Sequence, residues 1–205
     1  MSMLSLKTPL GNLMRMALTA ALLSNSSIGA RAADTPGNTL SAIRAVDLDG
    51  KVHILPAESS RATVLIFILH DCPVCNRYAP EIGRIASDYN TSSVVTYVVY
   101  EESDLTRFQA RNHAKAYNLT CGLLYDPLHK LAHLVGATAA PEAVLLSSCG
   151  NVVYRGRIDD AFKHFGMSSS QPSNHDLRDA IDSLLAGRDI LVAQTPVVGC
   201  SIPPD

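Results

Sequence analysis

The sequence predicts one α/β domain with a central sheet and helices on both faces, and three observations carry that reading. Residues 63–69 and 93–100 are continuously apolar and rich in β-branched side chains, as strands buried on both faces are. After the first run apolar residues recur at three- and four-residue spacing, as on a helix. Two more apolar runs and a last amphipathic segment close the chain. The 205 residues suit one ordinary domain and hardly two. An apolar content of 47% with a net charge of -2 gives a packed core, and the absence of a basic excess argues against a nucleic-acid partner.

Residues 1–32 read as a secretory signal peptide: Lys7 and Arg15 precede a short apolar run at 16–23, and Ala30-Arg31-Ala32 forms a small-x-small cleavage site ahead of Ala33. The run is too short to span a bilayer, so the expected product is a periplasmic or secreted chain of about 170 residues with no stable membrane insertion. A domain at 33–190 and an extended, proline-containing tail at 191–205 follow. Residues 43–55 read as a hairpin with a two-residue turn at Asp49-Gly50. Cys75, Tyr78, Ile82, Ile85 and Tyr89 mark a helix after the first buried strand.

Farther along, Leu105, Phe108 and Tyr117 suggest another helix, which leads to a short strand at 122–125. Asp126-Pro127 reads as an N-cap with proline at the first helical position, ahead of a stripe of Leu128, Leu131, Ala132 and Val135 that Gly136 ends. Strands at 143–147 and 152–157 are joined by a turn at 148–151. Residues 166–173 read as loop, and Leu177, Ala180, Ile181, Leu184 and Leu185 as a helix that stops at Gly187.

The chemistry is concentrated in Cys72-Pro73-Val74-Cys75, at the junction of a buried strand and a helix. There the first thiol meets unpaired N–H groups and the positive end of the helix dipole, an environment that favours the nucleophilic thiolate. The second thiol lies one turn inside, within reach of a disulfide. Cys72 is the expected nucleophile and Cys75 the resolving thiol. His70 is a candidate for tuning the Cys72 thiolate, and Asp71 for capping the helix.

These residues resemble the thioredoxin superfamily, and the resemblance covers residues 40–190. Pro80, five residues after Cys75, matches the kink-forming proline of that fold's active-site helix. Ala140-Pro141, ahead of an apolar strand, matches the cis-proline loop that faces the cysteine pair, and it supplies the candidate substrate-binding residues. The inserted strand and helix before Pro141 and the preceding hairpin are similar to the exported TlpA-like or redoxin-type branch. Residues 154–160, the helix start at His175 and the Val198-Gly199-Cys200 tail are similar to a secreted redoxin-domain subfamily.

The resemblance implies a thioredoxin-like three-layer fold and a thiol–disulfide oxidoreductase of cell redox homeostasis. Protein thiols and disulfides and a redox partner would be its counterparts, with no cofactor and no metal. The chain departs from the pattern in four places. Asp71 replaces the usual tryptophan, and Ile66 replaces a buried proton-handling acid. Leu69 and Leu65 stand where peroxidase chemistry needs a hydroxyl residue and a proline, which argues against a peroxidase.

Three further points stay open at the level of sequence. Cys200 is a candidate third thiol for exchange, a metal ligand with Cys72 and Cys75, or a structural partner of Cys149 or Cys121. Cys121 and Cys149 read as buried or paired rather than reactive. His129 and His133 have chelating spacing but read as solvated. The alternatives to an enzyme are a Sco-like copper chaperone using the same thiols, for which soft thiolates suit Cu(I), and a redox-inert interaction module.

Overall fold

The computed structural model describes residues 42–164 and 167–202, so the expected signal peptide at 1–32 lies outside the described residues. A hairpin comes first, β1 (Ile43–Val46) against β2 (Val52–Leu55), antiparallel with Val46 opposite Val52. Its turn is longer than the expected two residues, because the Asp47 carboxylate accepts from the backbone of both Asp49 and Lys51 and holds a wider loop. Gly50 takes a positive φ of 85° within it, where a side chain would be strained.

The central sheet contains β3 (Ala62–Ile68), β4 (Val94–Tyr100), β5 (Gly122–Tyr125), β7 (Glu142–Ser147) and β8 (Val152–Gly156), in the order β5-β4-β3-β7-β8. The first three run parallel and the last two antiparallel, which makes the sheet mixed. Every residue of β3 is buried, and alternation sends its side chains to two cores. Val64, Ile66 and Ile68 join one core with α1 (Pro73–Asn90) and α4 (Asp176–Leu185). Leu65 and Phe67 join the other with the hairpin and α3 (Lys130–Val135). This is the expected three-layer arrangement.

Two helices differ in detail from their sequence reading. In α2 (Arg107–Ala116) the buried face is Ala110, His113 and Ala114, while Phe108 is 70% exposed. Its start is fixed by Thr106 and Gln109, whose side chains cap each other's backbone N–H. α3 begins three residues later than Asp126-Pro127 suggests, with His129 as N-cap and Leu128 64% exposed. Asp126 still caps it at a distance, accepting from the N–H groups of Leu131 and Ala132. Gly136 ends α3 and Gly187 follows α4, both with positive φ.

Three short pieces were not legible as strands: β6 (Ala139–Ala140), the pair β9 (Phe162–His164) and β10 (Met167–Ser168), and β11 (Cys200–Ser201). β11 lies antiparallel to β6, so the expected extended tail is docked on the domain. Among the described residues no helix is long and apolar enough to cross a membrane.

Candidate active site

The C-terminal end of β3 leads through a short turn into α1, which places Cys72 at the N-cap of that helix with extended backbone dihedrals. Pro73 occupies the first helical position, where its missing N–H costs nothing. Asp71 is exposed and does not cap; the N-cap is Cys72 itself, with no side-chain cap bond. Pro80 lies inside α1, as expected of the kink position. The peptide between Ala140 and Pro141 is cis, and the Ala140 carbonyl lies 3.9 Å from Cys72 Sγ. The strand–helix junction and the proline loop therefore meet at the thiol.

Electrostatics divides the two cysteines. The Cys75 thiol hydrogen-bonds the Cys72 sulfur and brings the Cys72 pKa down to about 5, against burial, with help from the backbone N–H of Cys75, the Cys200 thiol and the Val74 N–H. Burial pushes Cys75 far upward, and its bond to Cys72 pushes the same way. One sulfur is poised as an anion and the other is held protonated. Both are only 2% exposed. The ultraviolet absorbance of thiolate should titrate with a midpoint near pH 5 in the wild type and lose that transition in Cys72→Ser. A midpoint near the unperturbed value of about 8.5 would refute the assignment.

His70 does not take the place that tuning would require. Its ring Nδ1 pairs with Glu102 and its backbone N–H donates to both oxygens of that carboxylate. The groups that lower the Cys72 pKa are the other cysteines and the helix amides. His70 instead heads a polar chain: Asn76 donates to the His70 carbonyl, and the Asn76 carbonyl oxygen meets His113, which also pairs with Tyr100. Glu102, Asn76 and His113 were missed in the sequence. The parallel register brings Glu102 to His70, since Ile68 pairs with Tyr100 and the two residues each lie two positions farther on.

Cys200 Sγ lies 3.4 Å from Cys72 Sγ, so the tail brings a third sulfur to the pair. Burial and the neighbouring Cys72 push its pKa up to about 11. All five cysteines are free; Cys121 is half-buried and Cys149 is exposed on the turn between β7 and β8. Neither of these sits beside Cys200, whose sulfur neighbour is Cys72. Among the described residues the group whose ligand atoms converge well enough for a metal is His70, Asp71 and Glu102, within 4.8 Å of one another, and no thiol belongs to it. His129, the N-cap of α3, and His133 are half-buried rather than solvated as expected: His129 Nδ1 lies 3.8 Å from Glu101, and the two imidazole rings stand 6.0 Å apart.

Residues 35–165 match the sequence profile of the family described as Redoxin. No curated protein sequence matches the chain. Among solved structures, a hypothetical protein from Sinorhizobium meliloti is similar at a TM-score of 0.71 and 26% identity, covering 81% of this chain and 92% of its own. An uncharacterised conserved protein from Geobacillus kaustophilus gives a TM-score of 0.71 and 26% identity, with 82% of this chain and 92% of that one covered. DsbF of Mycobacterium tuberculosis, solved in mixed oxidised and reduced forms, shares the fold at a TM-score of 0.55, with 21% identity over 70% of this chain and 95% of that chain. The architecture is thioredoxin-like.

Proposed function

The chain belongs to the redoxin family, and on that premise we propose that it is an exported thiol–disulfide oxidoreductase acting on protein clients through Cys72 and Cys75. The observation that carries the reading is the split between the two thiols, one depressed to about 5 and the other raised by burial, at a helix N-terminus facing a cis-proline loop. Cys72 thiolate attacks a client disulfide, forming a mixed disulfide and releasing one client thiolate. That step removes the negative charge and the hydrogen bond that help hold Cys75 protonated. Cys75 then loses its proton more readily and attacks Cys72 Sγ, and the second client thiolate leaves. The client is reduced by two electrons and the pair is oxidised to a disulfide.

The same residues run the reverse reaction when the pair starts oxidised, and direction follows from the partner's potential. Ala140 and Pro141 supply backbone against which an extended client segment can lie. The leader pattern at 1–32 supports a periplasmic or secreted location, where such exchange is useful. Insulin reduction with dithiothreitol as electron source tests the reading. The wild type should precipitate insulin faster than dithiothreitol alone and Cys72→Ser should not; a wild type no faster than dithiothreitol overturns it.

A further inference from the structure

The tail seats itself where a client would be expected to lie. Cys200 pairs with Ala140 and Ser201 with Ala139 in antiparallel register, and the Ile202 N–H donates to the Thr138 carbonyl at 2.9 Å. Ile202 is buried in the core on that side. The approach is close enough to require glycine: a Cβ at Gly199 would stand 2.1 Å from the Ala140 carbonyl oxygen. Farther back the tail is moored a second time. The Arg155 N–H donates to Ala193 and the Thr195 N–H to Arg155, while the Thr195 hydroxyl meets Tyr154 and accepts from the Arg157 N–H. Gly156 leaves room there, since its Cβ would stand 2.1 Å from that hydroxyl oxygen. At the first mooring, Cys200 Sγ rests against Cys72 Sγ at 3.4 Å.

We propose that the tail is a tethered occupant of the client edge at Ala139–Ala140, and that Cys200 is a third exchanging thiol that forms a disulfide with Cys72. The inference rests on the exchange reading above and adds a residue and a competition to it. A client must lift β11 before its own strand can pair with β6. Once the client is held as a mixed disulfide, the returning tail offers Cys200 to Cys72. Cys200 gives its proton to water and its thiolate attacks Cys72 Sγ; the bond from Cys72 to the client sulfur breaks, and that sulfur leaves as a thiolate and takes a proton from water. Cys75 then attacks Cys72 Sγ in turn, forming the Cys72–Cys75 bond, and the proton it gives up passes to the departing Cys200 thiolate. The client disulfide is the sole oxidant in the sequence, and its two electrons come from the protein's thiols.

Two measurements on the full chain test this without any client. Cys75→Ala oxidised by diamide should yield a linkage between Cys72 and Cys200 within one chain in peptide mass mapping. In the second, Gly199→Val should unseat the tail and raise the rate of iodoacetamide modification at Cys72 by roughly tenfold, the change for about 1.4 kcal/mol of lost docking. Absence of the Cys72–Cys200 peptide overturns the exchange step, and an unchanged modification rate overturns the competition. The mapping does not depend on how the Gly199 variant folds. Because neither measurement uses insulin, failure here is distinct from failure of the oxidoreductase reading.

Discussion

A chain carrying both Cys75→Ser and Cys200→Ser should stop on its client as a mixed disulfide at Cys72. Cys72 keeps its place at the α1 N-cap, where the amides of Val74 and Cys75 lower its pKa, so the first attack survives. What is lost is any intramolecular nucleophile within reach of Cys72 Sγ. Intramolecular groups held in line act at effective concentrations of ~10⁵ M or more, which millimolar external thiol cannot replace. Insulin turnover should fall ~100-fold or more, and a non-reducing gel should show a client adduct that dithiothreitol removes. The single variant Cys75→Ser should accumulate less adduct, since Cys200 remains 3.4 Å from Cys72 when the tail is seated. Adduct that persists when Cys72→Ser is added would place the nucleophile elsewhere.

Glu101→Gln should make the protein more stable at pH 8 and change little at pH 4. Glu101 follows β4, is 0% exposed, and neither carboxylate oxygen has a hydrogen-bond partner. Burial raises its pKa to about 9, with Asp126, Glu102 and Glu142 adding repulsion. Its acidic neighbours fare better, because Asp126 accepts from two amides of α3 and Glu142 from those of Thr138 and Ala139. An acid whose folded pKa lies above its unfolded value binds more protons when folded. Its contribution is fully present below the unfolded value near 4.5 and is lost as pH rises through about 9. The amide variant stays neutral throughout and escapes that loss, roughly 3 kcal/mol at pH 7. Urea unfolding of both proteins across this range measures the difference, and parallel curves would contradict the buried neutral acid.

The parts of the fold that were legible follow from strong local physics. β3 shows in the sequence because a strand buried on both faces must be apolar throughout. The site was readable where two such signals coincided, at the Cys72 junction and at Pro141. Other parts depended on contacts that no periodicity records. Phe108 looks like a core residue, yet the buried face of α2 is formed by Ala110, His113 and Ala114, and Phe108 points away from it. Asp71 looks like a cap, but the chain places Cys72 one residue on at that position. The His70–Glu102 pair was not legible because the two lie 32 positions apart in sequence and only the parallel register aligns them. β11 is two residues long, too short for alternation to mark, and its register with β6 came only from the fold.

The seated tail also bears on oxidative damage. A thiolate with a pKa of about 5 stays ionised through the neutral range, and thiolates are the cysteines first carried to sulfenic and then irreversibly to sulfinic acid. Susceptibility follows exposure as well as ionisation, and here the most nucleophilic sulfur is 2% exposed. The cover that keeps water from Cys72 keeps dissolved peroxide from it too, so corrosion of the sulfur and its use pass through the same door. Cys149, exposed on its turn, is the thiol a diffusing oxidant meets first.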